Sequence, residues 1–189
     1  TDPLVSAITE HTRITLNQET PNAFCSRPLS HIYTANIDLT GPTGKTLKKI
    51  KEFAYSREPD YKVQAQQALL NNGVQSPGNL LDLNQPFVKS LRRILELSVN
   101  AYRAKFSNSE EPFLKYWPKD YKLYAWLVIM KSQGFLRPHI HKEGWLSGSL
   151  YLDVPKTKVQ NEGAISFGLH GADYPDMGRT FEDHPVQVK

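Results

Sequence analysis

The sequence predicts an α+β fold in which helices come first and an antiparallel barrel or jelly roll follows. Three observations carry that prediction. Apolar residues at helical spacing dominate up to Phe106, wholly apolar or alternating runs dominate after Asn108, and the connections between those later runs are short. With 189 residues, 39% hydrophobic and 22% charged, the chain can bury a sizeable core as one globular domain.

Residues 1–20 read as a short helix fading into polar turn residues. Pro28 to Asp38 (PLSHIYTANID) is β-rich and closes at Gly41-Pro42. A helix is expected from about Thr46 to Ser56, where Leu47, Ile50, Phe53 and Ala54 recur at helical spacing. Residues 57–84, with Asn-Asn-Gly and Ser-Pro-Gly, read as a long structured loop ordered by Val74, Leu80, Leu81 and Leu83. The clearest helix runs from about Gln85 to Phe106. Asn84 can cap it, and Phe87, Leu91, Ile94, Leu95, Ser98 and Tyr102 form a stripe expected to pack on a sheet.

Four strands are then expected. Lys122 to Met130 (KLYAWLVIM) is apolar on both faces, which suits an interior strand ending in the turn Ser132-Gln133-Gly134. Leu146 to Val154 alternates, with Ser147, Ser149, Tyr151 and Asp153 on its polar face. Ala164 to Gly168 is short, and a fourth strand begins near Pro185. The opening threonine and the alternating His184 to Lys189 lead to the expectation of an excerpt from a longer protein, its C-terminal strands cut short.

Composition excludes some partners. No apolar run approaches the roughly 18 residues of a membrane span, and residues 1–11 do not read as a signal peptide. The net charge of +4 centres on Lys45, Lys48, Lys49 and Lys51, a solvated helix face rather than a nucleic-acid footprint. The single cysteine, Cys25, excludes an internal disulfide, suits a reducing cytoplasm and reads as a packed small apolar residue.

The chemistry concentrates between Arg137 and Pro155. His139 and His141 are two residues apart, so in an extended segment both imidazoles face one side and can converge on a metal. Pro138 forces Arg137 into extended backbone and favours that geometry. Imidazole suits iron, zinc, copper and nickel alike, so the pair does not choose the metal. The run Gly144-Trp145 then leads into a wall with small residues, Ser147 and Ser149, that leaves room for a ligand. Glu143 could pair with His141, although an exposed turn carboxylate is its plainer reading.

The text Gly134-Phe135-Leu136-Arg137-Pro138-His139-Ile140-His141, followed by Gly144-Trp145-Leu146-Ser147-Gly148, then Tyr151, Pro155 and Gly163 through Phe167, resembles the 2-oxoglutarate/Fe(II) oxygenase family whose domain often follows tetratricopeptide repeats. Upstream, Phe24-Cys25 with Pro28-Leu29, Gln75-Ser76 with Gly78-Asn79-Leu80-Leu81, and Trp117-Pro118 are similar to further blocks of that family. The resemblance extends from about Asn22. It implies a double-stranded β-helix (a jelly-roll or cupin-like barrel) over residues 22–189, with residues 1–21 as a helical extension. It also implies Fe(II) held by His139 and His141, with Ser149 and Tyr151 toward the cosubstrate 2-oxoglutarate. The reaction implied is oxidative decarboxylation of 2-oxoglutarate with O2, coupled to hydroxylation of a protein side chain or small metabolite.

This sequence departs from the family in three places, one of them Lys142-Glu143 where a more neutral pair is expected. His141 stands where the usual carboxylate ligand is expected, so it either binds the metal or orients His139 from behind. The distal histidine and the basic residue for 2-oxoglutarate are expected beyond Lys189; His170 and His184 are candidate stand-ins but read better as loop and strand-entry residues. His11 and His31 lie far from the block and read as structural or exposed; Trp126 and Trp145 read as packing residues. Two other readings therefore stay open: a metal- or ligand-binding barrel without turnover, and a partner-binding scaffold.

Overall fold

A computed structural model describes residues 2–61, 68–156, 159–171 and 174–188. The chain divides into two compact units, Thr1–Thr34 with Phe106–Trp117 and Pro138–Lys189, and Ala35–Lys105 with Pro118–Arg137. The class is α+β, with helices and two two-stranded antiparallel sheets; the described residues do not form a closed barrel. Among them, no helix is long and apolar enough to cross a membrane.

In the unit built from Ala35–Lys105 and Pro118–Arg137, helix α2 spans Gly41–Tyr61, longer at both ends than the spacing predicts. Its buried residues Leu47, Ile50, Ala54 and Tyr61 lie on one face, while Lys45, Lys48 and Lys49 are exposed. Ile50, 1% exposed, is the most deeply buried large side chain described. Helix α3, Val88–Lys105, buries Leu91, Ile94 and Tyr102 of the predicted stripe. That stripe packs on α2 and on the 3-10 turn Leu80–Asp82 rather than on a sheet. Phe53 and Phe87 meet at 5.2 Å, edge to face, a favoured geometry for aromatic pairs.

The segment expected to be loop contains strand β1, Leu70–Gln75, paired antiparallel with strand β2, Val128–Leu136. Residues 62–67 of that expected loop lie outside the described residues. The register runs from Leu70 opposite Leu136 to Gln75 opposite Val128, with an irregularity between Asn71 and Gly73. Here Asn72 (φ 47°) and Gln133 (φ 61°) take left-handed backbone, and Asn72 Nδ2 donates to the Ser132 carbonyl at 2.6 Å. One residue of β1, Asn72, thus stands against residues 131–134 of β2, so Ser132-Gln133-Gly134 lies in a bulge internal to β2, not at its end; the short amide of Asn72 tolerates left-handed backbone.

The expected interior strand over Lys122 to Met130 is corrected in the same way. Only Val128 to Met130 enter the ladder, and most of the run is half-buried or exposed. Upstream of it, Leu127 exchanges hydrogen bonds with Ser76, its N–H going to Oγ and its carbonyl accepting the Ser76 N–H, both at 2.9 Å. Ala125 receives the Leu80 N–H at 2.7 Å and donates its own to Asn79 Oδ1 at 3.0 Å. A side-chain oxygen replaces a backbone partner at two points, so the segment is satisfied without being a ladder.

In the other unit, helix α1 spans Pro3–Thr15. Asp2 caps it by accepting from the N–H groups of Leu4 and Val5 at 2.8 and 3.2 Å, and Pro3 occupies the first turn. Asn22 bonds both the hydroxyl and the carbonyl of Ser6, which folds the chain back along the helix. His11 is buried in α1 and structural. Its Nε2 lies 3.1 Å from the Pro175 carbonyl, its Nδ1 accepts from Gly171 N–H at 3.3 Å, and its ring stacks on Phe181.

The predicted strand from Pro28 to Asp38 is instead a 3-10 turn, Pro28–His31, followed by irregular backbone. Pro28 lacks an N–H for a ladder, and His31 Nδ1 closes the turn on the Arg27 carbonyl at 3.1 Å. Helix α4, Pro112–Lys115, is a single turn. Strands β3, Ile165–Gly168, and β4, Asp183–Val186, pair antiparallel with Phe167 opposite His184, close to the two short strands expected there.

Leu146 to Val154 is not a strand among the described residues, which corrects the clearest alternating prediction. Leu146 and Gly148 of the expected inner face are exposed, and the alternation survives only from Ser149 on. Leu150, Leu152 and Val154 are half-buried, whereas Ser149, Tyr151 and Asp153 are exposed. The side chains take the two sides that extended backbone dictates, without a neighbouring strand to complete a ladder.

Candidate metal site

His139 and His141 sit on extended backbone just beyond the end of β2, with Pro138 before them. The segment closes in a turn in which Gly144 N–H donates to the His141 carbonyl at 2.9 Å. A Cβ on Gly144 would lie 3.3 Å from Ser147 Oγ and 3.4 Å from the His141 carbonyl, so glycine lets the chain double back tightly behind the second histidine.

The two rings come together. Their centroids are 4.9 Å apart and their planes nearly perpendicular, at 82°. At that separation the rings meet edge to face, a favoured geometry for aromatic pairs. His139 is exposed and His141 half-buried. Burial, and then the proximity of His139, lower the pKa of His141, which keeps its imidazole neutral and able to donate a lone pair.

Ser149 and Tyr151 are brought together as well. Burial of the phenol raises the Tyr151 pKa, and a hydrogen bond with Ser149 acts in the opposite direction. Tyr151 still presents 44% of its surface. Glu143 lies in the exposed turn after His141. His184 stands in β4 opposite Phe167, and His170 packs its ring on Phe181 at 5.2 Å. Among the described residues none of these carboxylates or histidines completes a three-ligand group with His139 and His141.

Trp145 is anchored by a hydrogen bond and by ring packing. Its Nε1–H donates to the Phe113 carbonyl at 3.0 Å, and its ring meets Phe24 edge to face at 5.1 Å. A tether of this kind, from the turn after the histidines to residues 24 and 113, has no signal in a one-dimensional sequence.

Residues 124–188, about a third of the chain, match the model of a family described as "Putative 2OG-Fe(II) oxygenase". The matched segment contains His139, His141, Ser149 and Tyr151. The match starts at Tyr124, so the upstream blocks from Asn22 lie outside it. No curated protein and no solved structure matches the chain.

Proposed function

We propose that this chain carries part of a 2-oxoglutarate- and O2-dependent Fe(II) dioxygenase, a hydroxylase of a protein side chain or a small metabolite. The observation that carries the reading is the perpendicular His139–His141 pair inside the family-matched segment. In this reading His139 and His141 hold Fe(II), and Ser149 and Tyr151 face 2-oxoglutarate within a double-stranded β-helix. When bound, the iron and 2-oxoglutarate supply the oxidising power for C–H hydroxylation. The protein's own part is to keep two imidazoles on one side of an extended segment, with small residues beside them.

The test is iron and 2-oxoglutarate binding, followed by succinate formation from 2-oxoglutarate in the presence of O2. Paired substitution His139→Ala and His141→Ala is expected to abolish iron binding at this segment and any succinate formed. Unchanged iron binding in that variant would overturn the ligand assignment.

A second reading is a metal-binding domain without turnover: His141 stands where the family resemblance implies a carboxylate, and Glu143, two residues on, is exposed in a turn. Iron binding with no succinate formed would select it.

A further inference from the structure

A second group of metal-binding side chains lies in the same unit, away from the histidine pair in sequence. Cys25, His31 and Glu111 bring a sulfur, an imidazole nitrogen and a carboxylate oxygen within 4.8 Å of one another. Cys25 is 6% and Glu111 7% exposed, and His31 is half-buried. Local chain geometry makes the group. The 3-10 turn Pro28–His31 carries His31 back over Cys25, so that Sγ and Nδ1 stand 3.8 Å apart. Glu111 enters as the residue preceding α4.

We propose that Cys25, His31 and Glu111 form a site for a thiophilic divalent cation of the zinc class, distinct from the His139–His141 pair. Bonds of about 2.3 Å to sulfur and 2.1 Å to nitrogen in a tetrahedral shell put those two atoms about 3.6 Å apart, so the Cys25–His31 pair needs only a small contraction, and the Glu111 carboxylate closes onto the ion from within 4.8 Å. Three protein ligands of mixed softness leave a fourth position for water, an arrangement zinc accepts.

The surroundings suit the role. Ser109 Oγ lies 3.1 Å from His31 Nε2, and Nδ1 faces both Cys25 Sγ and the Arg27 carbonyl, so a metal at Nδ1 takes the place of the Arg27 contact. Both oxygens of Glu111 are held by Ser26, through its N–H and its hydroxyl. Phe106 and Phe113 pack on the His31 ring at 5.0 and 5.3 Å, which makes an apolar shell. On binding, the Cys25 thiol releases its proton to solvent and the neutral His31 imidazole keeps its single proton on Nε2, facing Ser109 Oγ, so that Sγ, Nδ1 and a Glu111 oxygen form three metal–ligand bonds with no change of oxidation state. Thiolate, neutral imidazole, carboxylate and a dication sum to zero charge, the least costly state for a buried site.

The test uses cobalt(II) as a spectroscopic stand-in for zinc, added to the metal-free chain. Cys25 is the sole cysteine, so a thiolate-to-cobalt charge-transfer band can come from no other residue. The expected result is a band that saturates at one cobalt per chain, is displaced by zinc and disappears in Cys25→Ser. Affinity should fall at least tenfold in His31→Ala and in Glu111→Gln, and stay unchanged when His139 and His141 are both replaced by alanine. Absence of the band at saturating cobalt would overturn the site. So would saturation at one cobalt per two chains, or undiminished affinity in His31→Ala and Glu111→Gln. Because substitutions in the cluster could unfold this unit, a second measurement avoids them. X-ray absorption of zinc bound to the His139→Ala, His141→Ala chain should show one sulfur among nitrogen or oxygen neighbours, and a shell without sulfur refutes the proposal.

Discussion

The indole nitrogen of Trp145 and the carbonyl of Phe113 are joined by a 3.0 Å hydrogen bond. This bond ties the turn after His139 and His141 to α4, and Phe24 packs on the same indole. Trp145→Phe keeps most of the ring contact but leaves the Phe113 carbonyl without its donor, at an expected cost of about 1–2 kcal/mol. Trp145→Ala also removes the ring and is expected to cost about 3–5 kcal/mol. Urea unfolding of the two variants checks both the direction and the order.

Gly134 is required by the bulge between β1 and β2. A Cβ there would lie 2.5 Å from the Asn72 carbonyl oxygen and 2.9 Å from that of Lys131, both backbone atoms that cannot swing aside. Gly134→Ala is expected to lower stability by about 1–3 kcal/mol, read as a lower thermal midpoint. A variant as stable as the parent would show that the ladder relaxes freely at this point.

Glu111 links stability to acid pH. Burial by itself raises its pKa, but the hydroxyl and N–H of Ser26, with His31 and Arg27 nearby, outweigh burial and hold the carboxyl below its usual value. A depressed folded pKa stabilises the fold above the unfolded value of about 4.3, and that contribution is lost as pH falls through the folded value. In chelator, the parent chain should therefore lose stability below about pH 4.3 more steeply than Glu111→Gln. Parallel pH profiles for the two chains would refute the coupling.

Cys25 should be a poor nucleophile in the metal-free fold. Burial, with Glu111 next in effect, pushes its pKa up to about 11. From an ordinary value of 9.0 that is a rise of two, so the thiolate fraction at pH 7 falls about 100-fold. Alkylation by iodoacetamide in chelator is expected to slow at least that much relative to the chain in urea. Comparable rates in the two states would show that the thiol is neither buried nor suppressed.

Much of the helical part was legible from spacing. The apolar residues that mark α2 and α3 are the ones the fold buries, Leu47, Ile50 and Ala54 on one and Leu91, Ile94 and Tyr102 on the other. Helical periodicity is local, since backbone partners lie four residues away and a face is defined by the segment itself. Strand prediction fared unevenly for the opposite reason. Ala164 to Gly168 and the residues near Pro185 pair as expected, whereas Lys122 to Leu127 and Leu146 to Val154 lack a ladder. Alternation records which way side chains point; a ladder also needs a partner strand from elsewhere in the chain.

The sequence by itself determined the class of the fold, the faces of its helices and the place of the His139–His141 pair, because each depends on residues only a few positions apart. The tertiary structure alone decided that these rings meet at 4.9 Å, that Trp145 reaches Phe113, and that Glu111 comes back to Cys25 and His31 across some eighty residues. Such contacts follow from the path of the whole chain, since side chains distant in sequence meet only where packing brings their backbones together.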